Sequence, residues 1–293
     1  MITGKGLGWH GLADGRRLDT WVGGDAEGPT VVYFHGTPAG RLQAALGDGA
    51  ARRAGVRLVA FSRPGYGASS DAATTLTSVA RDALELADLL GADSFATLGA
   101  SGGGPYALAT AALAPDRVRA VGVVAGVGPL AQLDPRVTDD PAVRLALAGD
   151  VAAAVALNDE LFGPPPDTSP GASDAEVVDR FSAMAPGAER SAFPPEMLEP
   201  WASDLRDAVP TFRGASRDSL AFAAGWDFEL SSVQAPVWLW YGERDQLVPL
   251  QHGWWLRDRL ARPTFVLREG AGHLATLMPH WTEILTTLRL ATA

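Results

Sequence analysis

The chain has 293 residues, 47% of them hydrophobic and 20% charged, a balance that supports a large folded core. It carries 34 acidic against 24 basic side chains, a net charge of -10, and Lys5 is its only lysine. An acidic chain without basic runs argues against nucleic-acid or anionic-membrane partners. The lack of cysteine excludes disulfides, thiolate metal sites and a cysteine nucleophile. Two short strands flank the Ala13-Asp14-Gly15 turn and end near Trp21-Val22. Thr30–Phe34 reads as a buried strand, 39–54 as a helix and Arg57–Phe61 as the next strand. Residues 75–90 form a helix, with Leu76, Val79, Ala83, Leu86 and Leu90 at helical spacing and Gly91 as the stop. Strand 95–98, helix 105–114 and strand Val118–Val124 follow. The alternation returns as strand 237–241, helix 250–260, strand 264–268 and helix 274–290. Strands alternating with helices predict a mostly parallel sheet with helices on both faces.

The interval 128–235 breaks that alternation. Helical patterns cover 141–157, 174–184, 196–208 and 216–224, and Ser173-Asp174-Ala175-Glu176 fits a capping box. Pro164-Pro165-Pro166 and Phe193-Pro194-Pro195 punctuate it. The expected organisation is a core of residues 1–127 and 236–293 with a helical cap, 128–235, inserted between two strands. Its large apolar residues include Leu161, Phe162, Phe181, Met184, Phe193, Met197, Trp201, Phe212 and Phe222. Most are read as cap core, with others facing the carboxyl edge of the sheet, where ligands bind. Trp201 and Phe212 are the candidate pocket-wall residues. The segment Met1–Gly6 lacks the apolar core of a signal peptide. The longest uncharged apolar stretch, 120–133, is broken by glycines and Pro129 and is too short to span a bilayer. The expectation is a cytoplasmic protein with no membrane partner.

Gly99-Ala100-Ser101-Gly102-Gly103 carries the chemistry. It is a G-x-S-x-G pentapeptide between an apolar strand and a helix. A sharp strand-to-helix turn pushes the serine hydroxyl clear of the backbone, and the crowding demands small residues two positions away on either side. The following helix aims its free N–H groups at the place where an oxyanion would form. A serine nucleophile needs a histidine to take its proton. Of the five histidines, His10 and His35 lie in strand regions, and His252 and His280 in predicted helices, read as solvated surface positions. His273, in the glycine loop Glu269-Gly270-Ala271-Gly272, can reach over the carboxyl edge towards Ser101. The histidine needs an acid, and the loop after strand 237–241 offers two. Asp245 is preferred because it lies further out; Glu243 is the alternative. The order Ser101, acid, His273 is the order that accompanies a serine elbow on such a sheet. Two N–H groups would hold the oxyanion, one from Gly102 and one from the loop 35–40, where Thr37 is chosen. Pro38 has no N–H. No glycine loop has the setting for a dinucleotide, no Walker lysine follows 99–104, and no histidine cluster suggests a metal. No cofactor is expected.

Together these segments resemble the α/β-hydrolase fold superfamily, the serine hydrolases and esterases with a helical cap. The resemblance spans nearly all of 20–290 and rests on HGTPAG at 35–40, FSRPGYGAS at 61–69, GASGGGPYALA at 99–109, WLWYGERDQLVP at 238–249 and GAGHLATL at 270–277. It implies Ser101 as nucleophile, Asp245 as acid and His273 as base. In such relatives the Arg63–Ser69 run is a structural turn commonly preceded by aspartate; Ser62 here implies altered loop hydrogen bonding without loss of chemistry. Ala100 stands where relatives often have a larger residue, which implies a wider pocket on that side. Relatives that dehalogenate or open epoxides use an aspartate nucleophile, which Ser101 argues against. The expected function is cofactor-independent cleavage of an ester or related acyl bond of a small, largely apolar molecule. The resemblance also leaves proline iminopeptidase-like, C–C bond hydrolase, perhydrolase and hydroxynitrile lyase activities, or a ligand-binding or biosynthetic helper role. Arg41, Tyr66 and Tyr106, near the motifs, are read as ordinary loop or helix-surface residues.

Overall fold

Among the described residues eight segments extend into strands: β1 (Gly6–Gly11), β2 (Arg17–Gly24), β3 (Thr30–Phe34), β4 (Arg57–Phe61), β5 (Phe95–Ala100), β6 (Val118–Val124), β7 (Val237–Gly242) and β8 (Pro263–Arg268). In this computed structural model, which describes residues 6–134, 139–148, 150–162, 171–184 and 195–292, they form one sheet in the order β1-β2-β4-β3-β5-β6-β7-β8. The β1/β2 and β2/β4 pairs are antiparallel and every other pair is parallel. Gly15, at φ 87°, closes the β1–β2 turn in a conformation that side chains disfavour.

The parallel strands are covered on both faces. Along β3, Val32 and Phe34 pack into one core while Val31 and Tyr33 pack into the other. Along β7, Val237, Leu239 and Tyr241 face the first core and Trp240 the second. Period-two alternation thus divides each strand between two apolar layers. The first is closed by α2 (Leu76–Leu89) and α3 (Gly104–Leu113), the second by α1 (Asp48–Ala54) and α11 (Trp281–Thr292). Thr75 and Ser78 cap α2 reciprocally.

Between β6 and β7 the described residues form α4 (Leu130–Leu133), α5 (Pro141–Leu147), α6 (Val151–Phe162), α7 (Asp174–Met184), α8 (Leu198–Ala208) and α9 (Arg213–Ala223). The Ser173–Glu176 capping box forms, with Ser173 N–H donating to Glu176 Oε2 at 2.8 Å. Pro164–Pro166 and Phe193, and the side chains of Leu161, Phe162 and Met184, lie outside the described residues. After β7 comes α10 (Leu250–Arg257). Among the described residues no helix is long and apolar enough to cross a membrane.

Three expected helices differ. The helix expected over 39–54 is a 3-10 segment, Arg41–Gly47, followed by α1. Gly47 lies against the Trp281 ring, where a Cβ would come within 2.6 Å. The helix expected over 141–157 divides into α5 and α6, because the Asp150 carboxylate accepts the Ala153 N–H and starts a new helix. The helix expected over 274–290 begins as two 3-10 turns, Leu274–Thr276 and Met278–His280, before α11. Pro279 lacks the N–H that a continuous helix would use.

Candidate active site

Thr37, Arg63, Ser101, Asp245 and His273 each lie just past the carboxyl end of a parallel strand. Parallel pairing gathers all of these loops at one edge of the sheet. The β5 turn has the torsions its residues demand. Ser101 sits at φ 53°, in the left-handed region, a strain of about 1–3 kcal/mol for a residue with a side chain. A Cβ on Gly99 would overlap the Gly103 carbonyl, and one on Gly103 would overlap the Phe34 carbonyl. The outer glycines therefore answer a packing requirement as well as a torsional one. The Ser101 carbonyl accepts the Val127 N–H at 3.2 Å, tying the turn to the segment after β6.

His273 and Asp245 meet. Asp245 Oδ1 accepts the N–H groups of Leu247 and Val248, both at 2.9 Å, which locks the carboxylate. Its Oδ2 lies 2.8 Å from His273 Nδ1. A carboxylate only accepts, so the shared proton is on Nδ1 and His273 Nε2 keeps its lone pair. Glu243 has a different place: its Oε2 accepts the Gly270 N–H at 2.8 Å and braces the loop that carries His273. Arg244 N–H donates to the Ala271 carbonyl at 2.9 Å and joins the same two loops.

Ser101, His273 and Thr37 border a cavity of about 110 Å³. Phe181, Trp201 and Leu205, from helices between β6 and β7, form its apolar wall with Leu247. Trp201 is a wall residue as expected. Phe212 is not: it packs against Phe181, with ring centroids 6.3 Å apart, in the apolar cluster that also holds Leu205, and does not line the cavity. Phe222 faces the elbow, 3.0 Å from where a Gly102 Cβ would stand, and a Cβ there would also overlap Thr37 Oγ1. Gly102 and Thr37 are thus in close approach. The Gly36 N–H is already held by Gln43 Oε1 at 2.8 Å. A second, smaller cavity of about 30 Å³ lies behind Ser101 against Ala100, Val124, Leu277 and Met278.

A buried polar cluster supports the loop after β3. Arg63 and Asp218, 0% and 1% exposed, form an ion pair. Asp218 accepts from Arg63 Nε at 3.1 Å and Nη2 at 2.5 Å, from the Tyr66 and Tyr106 hydroxyls at 2.7 Å each, and from Thr37 Oγ1 at 2.6 Å. Arg63 also donates to the carbonyls of His35 at 2.6 Å and Gly36 at 3.0 Å. Burial, with the Arg63 charge beside it, holds His35 well below the usual imidazole range. His35 Nε2 accepts the Arg63 N–H at 3.2 Å, consistent with a neutral ring. On α8, Asp204 accepts the Gly40 N–H at 3.0 Å, and burial pushes its carboxyl up to about 7.

Several surface readings are therefore corrected. Tyr66 and Tyr106 are fully buried on Asp218. Arg41 is buried and donates to Asp207 at 3.0 Å and to the Gly8 carbonyl at 3.0 Å. His252 is buried, its Nδ1 accepting the Gly128 N–H at 2.9 Å. Each polar group found a partner far away in sequence, which a local reading treats as water. Ser62, in place of the expected aspartate, accepts the Arg41 N–H at 3.1 Å through its hydroxyl. Gln43, Arg63, Asp204 and Asp218 were not singled out for the site. Only Arg63, within the RPGYG run, carried a local signal. Among the described residues no group of three or more His, Cys, Asp or Glu side chains could hold a metal ion.

A family model described as alpha/beta hydrolase fold matches residues 29–277. No protein of curated function matches the sequence. An alpha/beta hydrolase fold protein from Nakamurella multipartita superposes with a TM-score of 0.64 at 22% identity, over 98% of this chain and 100% of that one. An esterase from Exiguobacterium antarcticum gives 0.64 at 17% identity, over 97% and 99%. Epoxide hydrolase A from Mycobacterium thermoresistibile gives 0.61 at 22% identity, over 97% and 98%. At these identities the likeness concerns the fold.

Proposed function

The chain belongs to the alpha/beta hydrolase fold family, and from that premise we propose that it is a serine hydrolase cleaving an ester or related acyl bond of a small, largely apolar molecule. The observation that carries this reading is the His273–Asp245 couple, at 2.8 Å, on the border of the cavity that Ser101 enters from a left-handed turn. Ser101 Oγ attacks the acyl carbonyl and its proton passes to His273 Nε2. Asp245, held by two backbone N–H groups, stabilises the imidazolium. The N–H groups of Gly102 and Thr37 receive the oxyanion. His273 then protonates the departing alkoxide, and a water activated the same way releases the acid and restores Ser101. The helices between β6 and β7 act as a cap, with Phe181, Trp201 and Leu205 as the apolar wall for the acyl chain. An epoxide-opening reading has no matching nucleophile, because the elbow residue is a serine.

The test is a panel of p-nitrophenyl esters of graded chain length, run beside peptide and amide substrates, with a fluorophosphonate as covalent label. Ester turnover with a single label on Ser101 is expected. Ser101→Ala should lose the label and nearly all turnover while remaining folded. Asp245→Asn should cut kcat on the order of 10⁴-fold, by analogy with other triads. Near-parent turnover by Ser101→Ala would overturn the reading.

A further inference from the structure

Gln43 stands where the two cavities meet, and it lines both. It belongs to the 3-10 segment after β3 and is 5% exposed. Its Oε1 accepts two hydrogen bonds, from the Gly36 N–H and from the Tyr33 hydroxyl, both at 2.8 Å. A backbone N–H can only donate, so the atom facing Gly36 must be the amide oxygen. The orientation of the side chain is thereby settled, and the NH₂ group turns the other way. A Cβ placed on Gly36 would stand 3.6 Å from Gln43 Nε2 and 3.6 Å from Ser101 Cβ. The absent side chain at Gly36 leaves an open gap between the amide donors and the serine. Among the described residues no acceptor meets Nε2. A donor left in a largely apolar cavity is costly unless a ligand or water answers it.

The smaller cavity narrows what that ligand is. Apart from Gln43, Ser101 and His273 its lining is apolar or backbone, and its volume of about 30 Å³ suits one or two non-hydrogen atoms. An acyl chain running along the Phe181–Trp201 wall would turn a small substituent of its second carbon towards this space. We propose that Gln43 is a specificity-determining residue whose Nε2 donates to an oxygen on the carbon next to the scissile carbonyl. The preferred substrates are then esters whose acyl group bears a small 2-hydroxy, 2-oxo or 2-methoxy substituent. This rests on the serine hydrolase reading above and adds a substrate class to it.

The test uses the p-nitrophenyl esters of 2-methoxyhexanoic and 2-ethylhexanoic acid, which share a shape and differ by an ether oxygen in place of a methylene. The readout is the ratio of their kcat/KM values, divided by the same ratio for hydrolysis by hydroxide. In the parent protein this normalised preference should favour the methoxy ester about three- to tenfold, the worth of one hydrogen bond. Gln43→Glu keeps oxygens for Gly36 N–H and Tyr33 OH but loses the NH₂ donors, so the preference should fall to one or below. Gln43→Met should do the same without introducing charge. A parent preference near one, or a preference that both variants retain, overturns the proposal. If one variant fails to fold, the other variant and the parent value still decide. Turnover of both esters with no preference refutes only the role of Gln43. No turnover of either ester, with Ser101 unlabelled, removes the hydrolase reading and this proposal with it.

Discussion

Replacing Asp218 with alanine removes the acceptor of five hydrogen bonds at once. The largest loss falls on Arg63, which is fully buried and keeps its charge with the His35 and Gly36 carbonyls and the Thr37 hydroxyl as its remaining acceptors. Breaking a buried ion pair from one side costs about 3–5 kcal/mol. The three remaining acceptor contacts favour the lower half of that range, and the three hydroxyls that lose Asp218 favour the upper half. We expect a loss of about 4 kcal/mol, a large share of the roughly 5–15 kcal/mol that a domain has in total. The assay is urea unfolding followed by tryptophan fluorescence, with midpoint and slope fitted separately. The double variant Arg63→Met, Asp218→Leu should lie closer to the parent than Asp218→Ala alone, because it leaves no uncompensated charge. A loss below about 1 kcal/mol for Asp218→Ala would refute the claim that this pair is closed to water.

Two further outcomes are expected. Trp201→Ala should broaden or lengthen the preferred acyl chain, because it removes a cavity wall, whereas Phe212→Ala should lower stability by about 3–5 kcal/mol and leave chain-length preference unchanged; equal effects of the two on substrate profile would contradict the assigned wall. Asp204 provides a pH signature. Its carboxyl is raised by burial from 3.8 to about 7, so between those values the folded state holds a proton that the unfolded state has released. Its contribution to stability therefore falls as pH rises from about 4 to about 7 and is constant above. Asp204→Asn should remove that slope, and its urea midpoint relative to the parent should rise across this window. Parallel curves for the two proteins would show that Asp204 is ionised throughout.

The parts of this molecule that could be read from sequence are those whose causes are local. The strand–helix alternation and the family were legible because apolar periodicity and short motifs encode them directly. Gly99 and Gly103 announced the turn because the overlaps they avoid involve carbonyls at the turn itself or at the end of the neighbouring strand. His273 was reachable by elimination among five histidines, and Asp245 by its place further out in the loop after β7, with Glu243 left as the alternative. The Arg63–Asp218 pair was not, because 155 residues separate its members and neither spacing nor composition links them. Tyr66, Tyr106 and Arg41 looked like surface residues for the same reason. Gln43 carried no signal, because its importance lies in which way an amide is turned. Phe212 and Trp201 have similar local character, and only packing distinguishes a wall residue from the one behind it.

The position of β7 in the sheet has a consequence for how the chain is made. β6 and β7 are neighbours, yet the segment between them is synthesised after β6 and before its partner. Until Val237–Gly242 emerges, β6 presents an open hydrogen-bonding edge, flanked by Val121 and Val123 from the core. Such an edge is a template for pairing with another nascent chain. The same order separates Ser101 from His273 in time. At about 5–20 residues per second, roughly 10–30 s pass between them on the ribosome. A ribosome stalled within the inserted helices therefore holds a chain with Ser101 already made, Asp245 and His273 still missing, and the β6 edge uncovered.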